Sequence, residues 1–199
     1  MHHDHSYFDE HAETWEEDNP VPEKQLLRVL QHCHLSKGQR VLDVGTGTGR
    51  LLPHIRNQIG NCGELYAVDP SERMLEQARR RHPEVEFENC PAEKLPYESN
   101  FIDRVICYAV YPHFFSPSSA IEQMHRVLQK NGLLIIAHTH GRSTINAVHH
   151  RASRHVAEDR LPPPSKVAQL LTEVGMHIIK TIDDDDFYMV SGKNKSAQT

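Results

Sequence analysis

A glycine-rich turn constrains the fold of this chain more than any other feature of its sequence. The run Val41-Leu42-Asp43-Val44 leads directly into Gly45-Thr46-Gly47-Thr48-Gly49, and a stretch compatible with a helix follows from Arg50. Glycines at such a turn adopt backbone angles closed to other residues, and they bring backbone N–H groups against a ligand with no Cβ in the way. The segment therefore predicts a strand, a tight ligand-binding turn and a helix.

Short β-type runs alternate with longer amphipathic stretches along the rest of the chain. This alternation predicts βαβ units around a mostly parallel sheet, and 199 residues are enough for one domain. Amphipathic spacing and capping residues predict helices over residues 23–33, 72–81, 118–129 and 166–173. The seven predicted strands cover residues 40–44, 64–69, 85–89, 104–108, 133–139, 177–183 and 187–192.

An acidic residue at the end of the second predicted strand narrows the choice of ligand. Asp69 lies twenty residues after Gly49, where a carboxylate can accept hydrogen bonds from both hydroxyls of a ribose. A dinucleotide-binding turn needs a glycine where this chain has Arg50, and the Lys-Ser/Thr pair of a phosphate-binding loop does not occur. Asp43 would repel a phosphate and attract an ammonium or a sulfonium. The spacing therefore disfavours a pyrophosphate ligand.

The run Asp43-x-Gly45-x-Gly47-x-Gly49 resembles the first motif of the class I methyltransferases that use S-adenosylmethionine, in particular their small-molecule, UbiE-like type. Residues 90–105 and 129–136 are similar to further parts of that family. The resemblance implies an α/β fold with a three-layer, Rossmann-like architecture. Its sheet would be seven-stranded and mostly parallel, with an antiparallel last strand and helices on both faces. The resemblance also implies S-adenosylmethionine as the cofactor. The residues that it assigns to the cofactor are Asp43, Gly45, Gly47, Gly49, Asp69, Met74, Ala92, Glu93 and Tyr108.

One position departs from the family pattern. Many members have an aspartate that binds the adenine amine where this chain has Pro91. Glu93 or a backbone group is therefore expected to replace that contact.

The same resemblance predicts the domain organisation. Residues 1–20 are expected to form a helical segment carrying Tyr7, Phe8 and Trp15, which is either a lid or a helix packed permanently on the sheet, and residues 21–192 to form the methyltransferase domain. Residues 140–164 are too many for an ordinary connection in a compact domain, so we expect an insertion near the active site. Residues 193–199 are expected to form a disordered tail.

Histidine is unusually frequent, with 16 residues in 199. Several histidines follow the fourth and fifth predicted strands, whose carboxyl ends should face the transferable methyl group. In one interpretation, His113 or His138 is a general base that takes a proton from the methyl acceptor. In a second, His113, His138 and His149 bind a divalent transition metal, which imidazole commonly ligates. In a third, they are packing or surface residues, and the sequence leaves all three interpretations open.

Three further residues near these histidines are expected to contact the acceptor. Tyr111 follows the fourth predicted strand, and Arg142 and Asn146 are four residues apart. Residues at that spacing lie on one face of a helix. The sequence thus predicts a pocket that gathers Tyr111, Arg142 and Asn146 beside the histidines.

Composition excludes several classes of function. Asp and Glu outnumber Lys and Arg by 27 to 22, which argues against a nucleic-acid binder. Apolar runs are far shorter than the ~18 to 20 residues of a membrane helix. We expect a cytoplasmic protein, because no apolar leader follows the first residues and the cysteines lack paired spacing. The expected partner is a small-molecule acceptor, and the sequence does not indicate an oligomeric state.

Two other classes of function compete with methyl transfer. A metal-binding or ligand-sensing protein with this fold and no turnover is the main alternative. A nicotinamide-dependent oxidoreductase is a third, which Arg50 disfavours because it replaces the glycine that such enzymes require.

Overall fold

Seven strands form one mixed sheet in the computed structural model, which describes residues 6–151 and 156–195. The strands are β1 (Arg40–Val44), β2 (Glu64–Asp69), β3 (Glu86–Asn89), β4 (Ile102–Tyr108), β5 (Leu128–His138), β6 (Met176–Asp184) and β7 (Phe187–Asn194). Every predicted strand is confirmed. β4 and β5 begin earlier than predicted, because Ile102 already pairs with Leu128 ahead of a register shift.

The order of the strands in the sheet is β3-β2-β1-β4-β5-β7-β6. The strands from β3 to β5 are parallel, and β7 runs antiparallel to both of its neighbours, β5 and β6. At the end of β1, Val44 pairs with Val68 of β2 and Cys107 of β4. The predicted fold class is therefore confirmed. Because the strand order reverses between β1 and β4, the sheet has a crevice at the carboxyl ends of these strands, where ligands bind in such folds.

The described residues also form eight α-helices. They are α1 (Ser6–His11), α2 (Trp15–Asp18), α3 (Glu23–Gln31), α4 (Leu52–Ile59), α5 (Glu72–Arg81), α6 (Pro117–Val127), α7 (Arg142–Arg151) and α8 (Pro164–Glu173). Ser71 caps α5 as predicted, by accepting a hydrogen bond from the backbone N–H of Met74 at 3.1 Å. Pro117 opens α6 after the cap Ser116, at a position where proline has no helical hydrogen bond to lose.

Two apolar clusters cover the two faces of the sheet. Leu42 and Val44 of β1 belong to one cluster and Val41 belongs to the other, since successive side chains of a strand point to opposite faces. Helices α6 and α8 contribute buried residues to the first cluster, and α3 and α4 contribute to the second. The protein thus has the three layers that its sequence predicts.

The predicted N-terminal segment and the predicted insertion both contain helices outside this framework. Helices α1 and α2 lie within the predicted N-terminal segment, and α7 lies within the predicted insertion. The predicted tail begins too early, because Lys193 and Asn194 pair with β6 as part of β7; residues 196–199 lie outside the described residues. Within residues 6–151 and 156–195, no helix has the length and apolar character needed to cross a bilayer.

Candidate active site

A cavity of about 420 Å³ lies at the carboxyl ends of β1, β2, β4 and β5. All but one of the residues predicted to bind the cofactor line it, namely Asp43, Gly45, Gly47, Asp69, Met74, Ala92, Glu93 and Tyr108. They come from the ends of three neighbouring strands, the turn after β1, the start of α5 and the segment between β3 and β4. The cavity therefore occupies the crevice that the strand order creates.

The three glycines of the turn all have positive φ, and they serve different purposes. A Cβ on Gly45 would lie 2.4 Å from a methyl group of Val110, so Gly45 permits close packing against the segment after β4. A Cβ on Gly49 would lie 2.8 Å from His82, and Gly49 does not line the cavity. Gly49 therefore has a packing role in this structure, and its role at the cofactor stays a prediction. Around Gly47, a Cβ would meet no heavy atom of the described chain within 4 Å, although this glycine lines the cavity.

Asp69 presents a buried carboxylate at the end of β2. Its Oδ2 accepts the backbone N–H of Gly47 at 2.8 Å, and its Oδ1 accepts that of Ser71 at 2.9 Å. Burial raises the pKa of Asp69 to about 6, against the effect of these two hydrogen bonds, and Asp9 raises the pKa further. Each oxygen of a carboxylate has two lone pairs, so both can still accept a ribose hydroxyl.

Asp43 is a second buried carboxylate, at the end of β1. It is 2% exposed, and its Oδ2 accepts the Thr46 hydroxyl at 2.8 Å. Burial raises the pKa of Asp43 to about 7, the Thr46 hydrogen bond opposes this shift, and the neighbouring charge of Asp69 adds to it. Two carboxylates that are costly to ionise thus face one cavity, and a cationic ligand would relieve that cost.

The N-terminal helices cover the cavity. Three aromatic side chains of this segment line it: Tyr7, Phe8 and Trp15. Glu16 of α2 accepts a hydrogen bond from the Thr48 hydroxyl and pairs with the Arg50 guanidinium at 2.7 Å. In α1, Asp9 accepts a hydrogen bond from the Ser71 hydroxyl. The segment is therefore fastened both to the glycine turn and to the start of α5.

Three of the predicted histidines meet at the other end of the cavity. His113, His138 and His149 all line it, and the rings of His113 and His149 lie 5.0 Å apart. His138 is 2% exposed, and its Nε2 has no hydrogen-bond partner among the described residues. Burial lowers the pKa of His138 to about 3, and the nearby imidazoles of His113 and His149 lower it further. His138 is therefore neutral at physiological pH.

Asp159, which the sequence analysis did not predict, contacts the rings of two of these histidines. Asp159 Oδ2 lies 2.6 Å from His113 Nδ1, and the backbone oxygen of Asp159 lies 2.9 Å from His149 Nδ1. Asp159 is buried but does not line the cavity. Burial lowers the pKa of His149, although its hydrogen bond to Asp159 acts in the opposite direction.

The metal interpretation is not supported. Within the described ranges, no group of three or more His, Cys, Asp or Glu side chains is placed to hold a metal ion, and this includes His113, His138 and His149. The Nδ1 atoms of His113 and His149 are already bound to Asp159. The histidines share a cavity without converging on one point.

The three residues predicted to contact the acceptor lie outside the cavity lining. Tyr111 is buried in one of the two apolar clusters. Arg142 donates a hydrogen bond to Asp183 at 3.2 Å. Asn146 binds both the N–H and the carbonyl of Leu161, at 2.8 and 3.1 Å. The polar groups of Arg142 and Asn146 are engaged within the fold and Tyr111 is buried in the core, so we do not assign them an acceptor contact.

Sequence reasoning missed three acidic residues of the site, Asp9, Glu16 and Asp159. Each contacts a partner between 32 and 62 residues away along the chain. No periodicity or local spacing reports on contacts across such intervals. Only the tertiary structure could reveal them.

Comparison with known proteins agrees with this geometry. Residues 42–136 match the family model of a methyltransferase domain. The ubiquinone/menaquinone biosynthesis C-methyltransferase UbiE of Coxiella burnetii is 34% identical over 114 residues, which are 54% of this chain and 46% of that protein. The protein of the same name from Neisseria meningitidis is 30% identical over 134 residues, which are 63% of this chain and 55% of that protein. The chain spans about half the length of these curated relatives.

Solved structures share the fold over most of the chain. An S-adenosylmethionine-dependent methyltransferase from Aquifex aeolicus has a TM-score of 0.75 at 22% identity, covering 92% of this chain and 97% of that chain. A phosphoethanolamine N-methyltransferase from Haemonchus contortus, solved with S-adenosylhomocysteine, has a TM-score of 0.77 at 17% identity, covering 96% and 58%. Identities this low establish the common fold alone.

Proposed function

This chain belongs to the class I S-adenosylmethionine-dependent methyltransferases, and we propose that it transfers a methyl group from S-adenosylmethionine to a small-molecule acceptor. The observation that carries the proposal is the open space over Gly47, beside the buried carboxylates of Asp43 and Asp69. A ligand that bears positive charge and a ribose matches both the shape and the charge of this end of the cavity.

The residues present fit that cofactor. Asp69, held by two backbone N–H groups, would bind the ribose hydroxyls, and Asp43 would attract the ammonium or the sulfonium. Met74 and Ala92 offer apolar surface to the adenine. Glu93 uses one carboxylate oxygen to accept the backbone N–H of Ser116, which leaves the other for the adenine amine. When bound, S-adenosylmethionine supplies an electrophilic methyl group attached to a sulfonium.

The acceptor end of the cavity is apolar and carries little charge. Its apolar lining consists of Phe8, Phe114, Phe115, Ile145, Val148 and Val156. Arg50 is the one lysine or arginine among the described lining residues, and Glu16 neutralises it. A charged acceptor would lose its hydration here without gaining an opposite charge. The cavity thus favours a neutral, mostly apolar acceptor.

The exposed rim of this end indicates where the acceptor enters. Phe115 is 60% exposed and Val148 is 57% exposed, and both line the cavity. The name of the curated relatives refers to C-methylation in ubiquinone and menaquinone biosynthesis. A hydroxylated aromatic ring has the apolar body and the acidic hydroxyl that this end of the cavity would accept.

His113 and His138 have different proposed roles in the methyl transfer. Methyl transfer from a sulfonium needs the nucleophile, the methyl carbon and the sulfur in line, so positioning supplies most of the acceleration. His138 is a weak base because burial lowers its pKa to about 3, and its unpaired Nε2 is suited to a hydrogen bond with the acceptor. We assign the general base to His113, the other residue of the predicted pair. It would take the acceptor proton as the bond to the methyl carbon forms.

Two measurements on the purified full chain test this proposal. Titration calorimetry should detect S-adenosylhomocysteine binding, and Asp69→Ala should abolish it while the exposed control Glu98→Gln leaves it intact. Tritium from S-adenosyl-[methyl-³H]methionine should then pass to a hydroquinone or a phenol in preference to a carboxylate or a primary amine, which are charged at neutral pH. Absence of any cofactor binding, or equal labelling of charged and neutral acceptors, would contradict the proposal.

A further inference from the structure

Asp159 is a buried carboxylate beside His113, the proposed general base, and the proposed function gives it no role. It lies between α7 and α8, is 9% exposed, and contacts His113 Nδ1 at 2.6 Å from outside the cavity lining. The side chain of His113 is 15% exposed. His113 therefore lines the cavity and also contacts a buried carboxylate that does not line it.

Contacts from α7 and β7 hold the residues that follow Asp159. Asn146 of α7 brackets the backbone of Leu161 with two hydrogen bonds, and the Tyr188 hydroxyl of β7 donates to the carbonyl of Pro162 at 3.1 Å. Val156 and Leu161 are buried. The position of the Asp159 carboxylate is thus set by α7 and the central sheet, which is the rigid support that a catalytic pair requires.

The chemistry of the contact determines which nitrogen of His113 carries a hydrogen. A carboxylate only accepts hydrogen bonds, so Nδ1 of His113 must be the donor. In a neutral imidazole, a donor at one nitrogen leaves a lone pair on the other. The lone pair of His113 is then on Nε2, the nitrogen that Asp159 does not contact. Nε2 is the nitrogen left for a ligand in the cavity.

We propose that Asp159 is the positioning residue that holds His113 as its Nδ1–H tautomer and presents Nε2 to the acceptor as the proton-accepting atom. This inference rests on the proposed function, because it gives His113 a proton to take. As the acceptor proton moves to Nε2, the imidazole becomes a cation, and the Asp159 carboxylate stabilises it at 2.6 Å. Asp159 itself keeps its charge, and the acceptor loses one proton to the ring.

A purely structural role for Asp159 makes a different prediction. In that case the carboxylate would only tie residues 156–162 to the rest of the fold, and its removal would lower stability without any change in the His113 ring. The tautomer of His113 separates the two roles, because it reports on the hydrogen itself and needs no turnover.

The decisive measurement is long-range ¹H–¹⁵N correlation of histidine side chains in the full chain saturated with S-adenosylhomocysteine. His113→Gln identifies the His113 signals. In the unsubstituted protein at neutral or higher pH, His113 should be the Nδ1–H tautomer. In Asp159→Ala, the hydrogen should move largely to Nε2, while Glu158→Ala, a matched change at the exposed neighbouring carboxylate, should alter nothing. An Nε2–H tautomer in the unsubstituted protein overturns the inference, even where Asp159→Ala does not fold.

Methyl transfer gives a second readout. On the acceptor that takes the most label, Asp159→Ala should lower kcat about 100-fold and leave the KM for S-adenosylmethionine unchanged, and Asp159→Glu should restore part of the rate. In a His113→Gln background, Asp159→Ala should have no further effect, whereas a further loss would overturn the inference. Absence of S-adenosylhomocysteine binding by calorimetry would defeat the proposed function alone, because the ring tautomer can still be measured in the free protein.

Discussion

Replacing Asp43 with asparagine should stabilise the ligand-free protein and weaken its binding of the cofactor, and one cause underlies both effects. Burial raises the pKa of Asp43 to about 7 from 3.8. This difference in pKa means that the folded chain favours the neutral carboxyl over the ionised one by about 4 kcal/mol. Asparagine removes the charge and keeps an oxygen that can accept the Thr46 hydroxyl, which Asp43 accepts at 2.8 Å. The substitution therefore removes a cost of folding together with an attraction for a cation.

The stabilisation should depend on pH in a definite direction. Because the pKa of Asp43 is higher in the folded chain than in the unfolded chain, the folded chain holds an extra proton between about pH 4 and pH 7. The stability due to this proton is fully present below the unfolded pKa and is lost as the pH rises through the folded pKa. Between pH 5 and pH 7, the loss of this proton can lower the free energy of unfolding by at most about 3 kcal/mol. We expect the gain from Asp43→Asn to be about 1 to 3 kcal/mol larger at pH 8 than at pH 5, since structural relaxation reduces the full value.

Urea denaturation at pH 5 and pH 8 measures this difference, with Glu98→Gln as the control for loss of one exposed carboxylate. Calorimetry at pH 8 should show that S-adenosylmethionine binds Asp43→Asn at least about tenfold more weakly, which corresponds to the loss of about 1.4 kcal/mol. A variant that is destabilised equally at both pH values would refute the reasoning, and so would one that binds the cofactor with unchanged affinity.

Three further predictions concern the cofactor end of the cavity. Gly47→Ala should fold with a small loss of stability due to its positive φ and should lose S-adenosylhomocysteine binding, because its Cβ would enter open cavity space. Gly45→Ala should lose much more thermal stability, because its Cβ would also lie 2.4 Å from a neighbouring methyl group. Similar calorimetric and thermal profiles for the two variants would contradict this. Affinity for S-adenosylmethionine should fall as the pH decreases from 8 to 5, since both buried carboxylates with raised pKa values take up protons in that range. If calorimetry shows the same affinity across this range, the prediction is wrong. Glu16→Gln should speed both binding and release of the cofactor, because Glu16 fastens α2 over the cavity. Stopped-flow fluorescence of Trp15, the one tryptophan of the chain, measures both rates, and unchanged rates would contradict the prediction.

The cofactor end of the cavity could be predicted because its signals are local. The strand, the glycine turn and Asp69 all belong to one βαβ unit, in which chain spacing fixes spatial relations. Gly49 shares the glycine signal of the turn, but it does not line the cavity and packs closely against His82. A glycine in the sequence indicates that a side chain does not fit at that position. It does not indicate whether a ligand or another part of the protein occupies the space that a side chain would take.

The acceptor end could be predicted only in part, because its contacts depend on how distant elements meet. The spacing of Arg142 and Asn146 correctly placed both on one helix, α7. It did not show that their polar atoms would bind Asp183 and Leu161. The pairing of His113 with Asp159 has no local signal at all, since 46 residues separate them.

A crystal structure of the full chain with S-adenosylhomocysteine tests the central claim most directly. We predict a nucleoside whose ribose hydroxyls contact the Asp69 carboxylate, whose amino-acid portion lies over Gly47, and whose sulfur faces the end of the cavity that holds His113. A nucleoside bound anywhere else, or a cavity that remains closed by α1 and α2 at saturating ligand, would contradict the account.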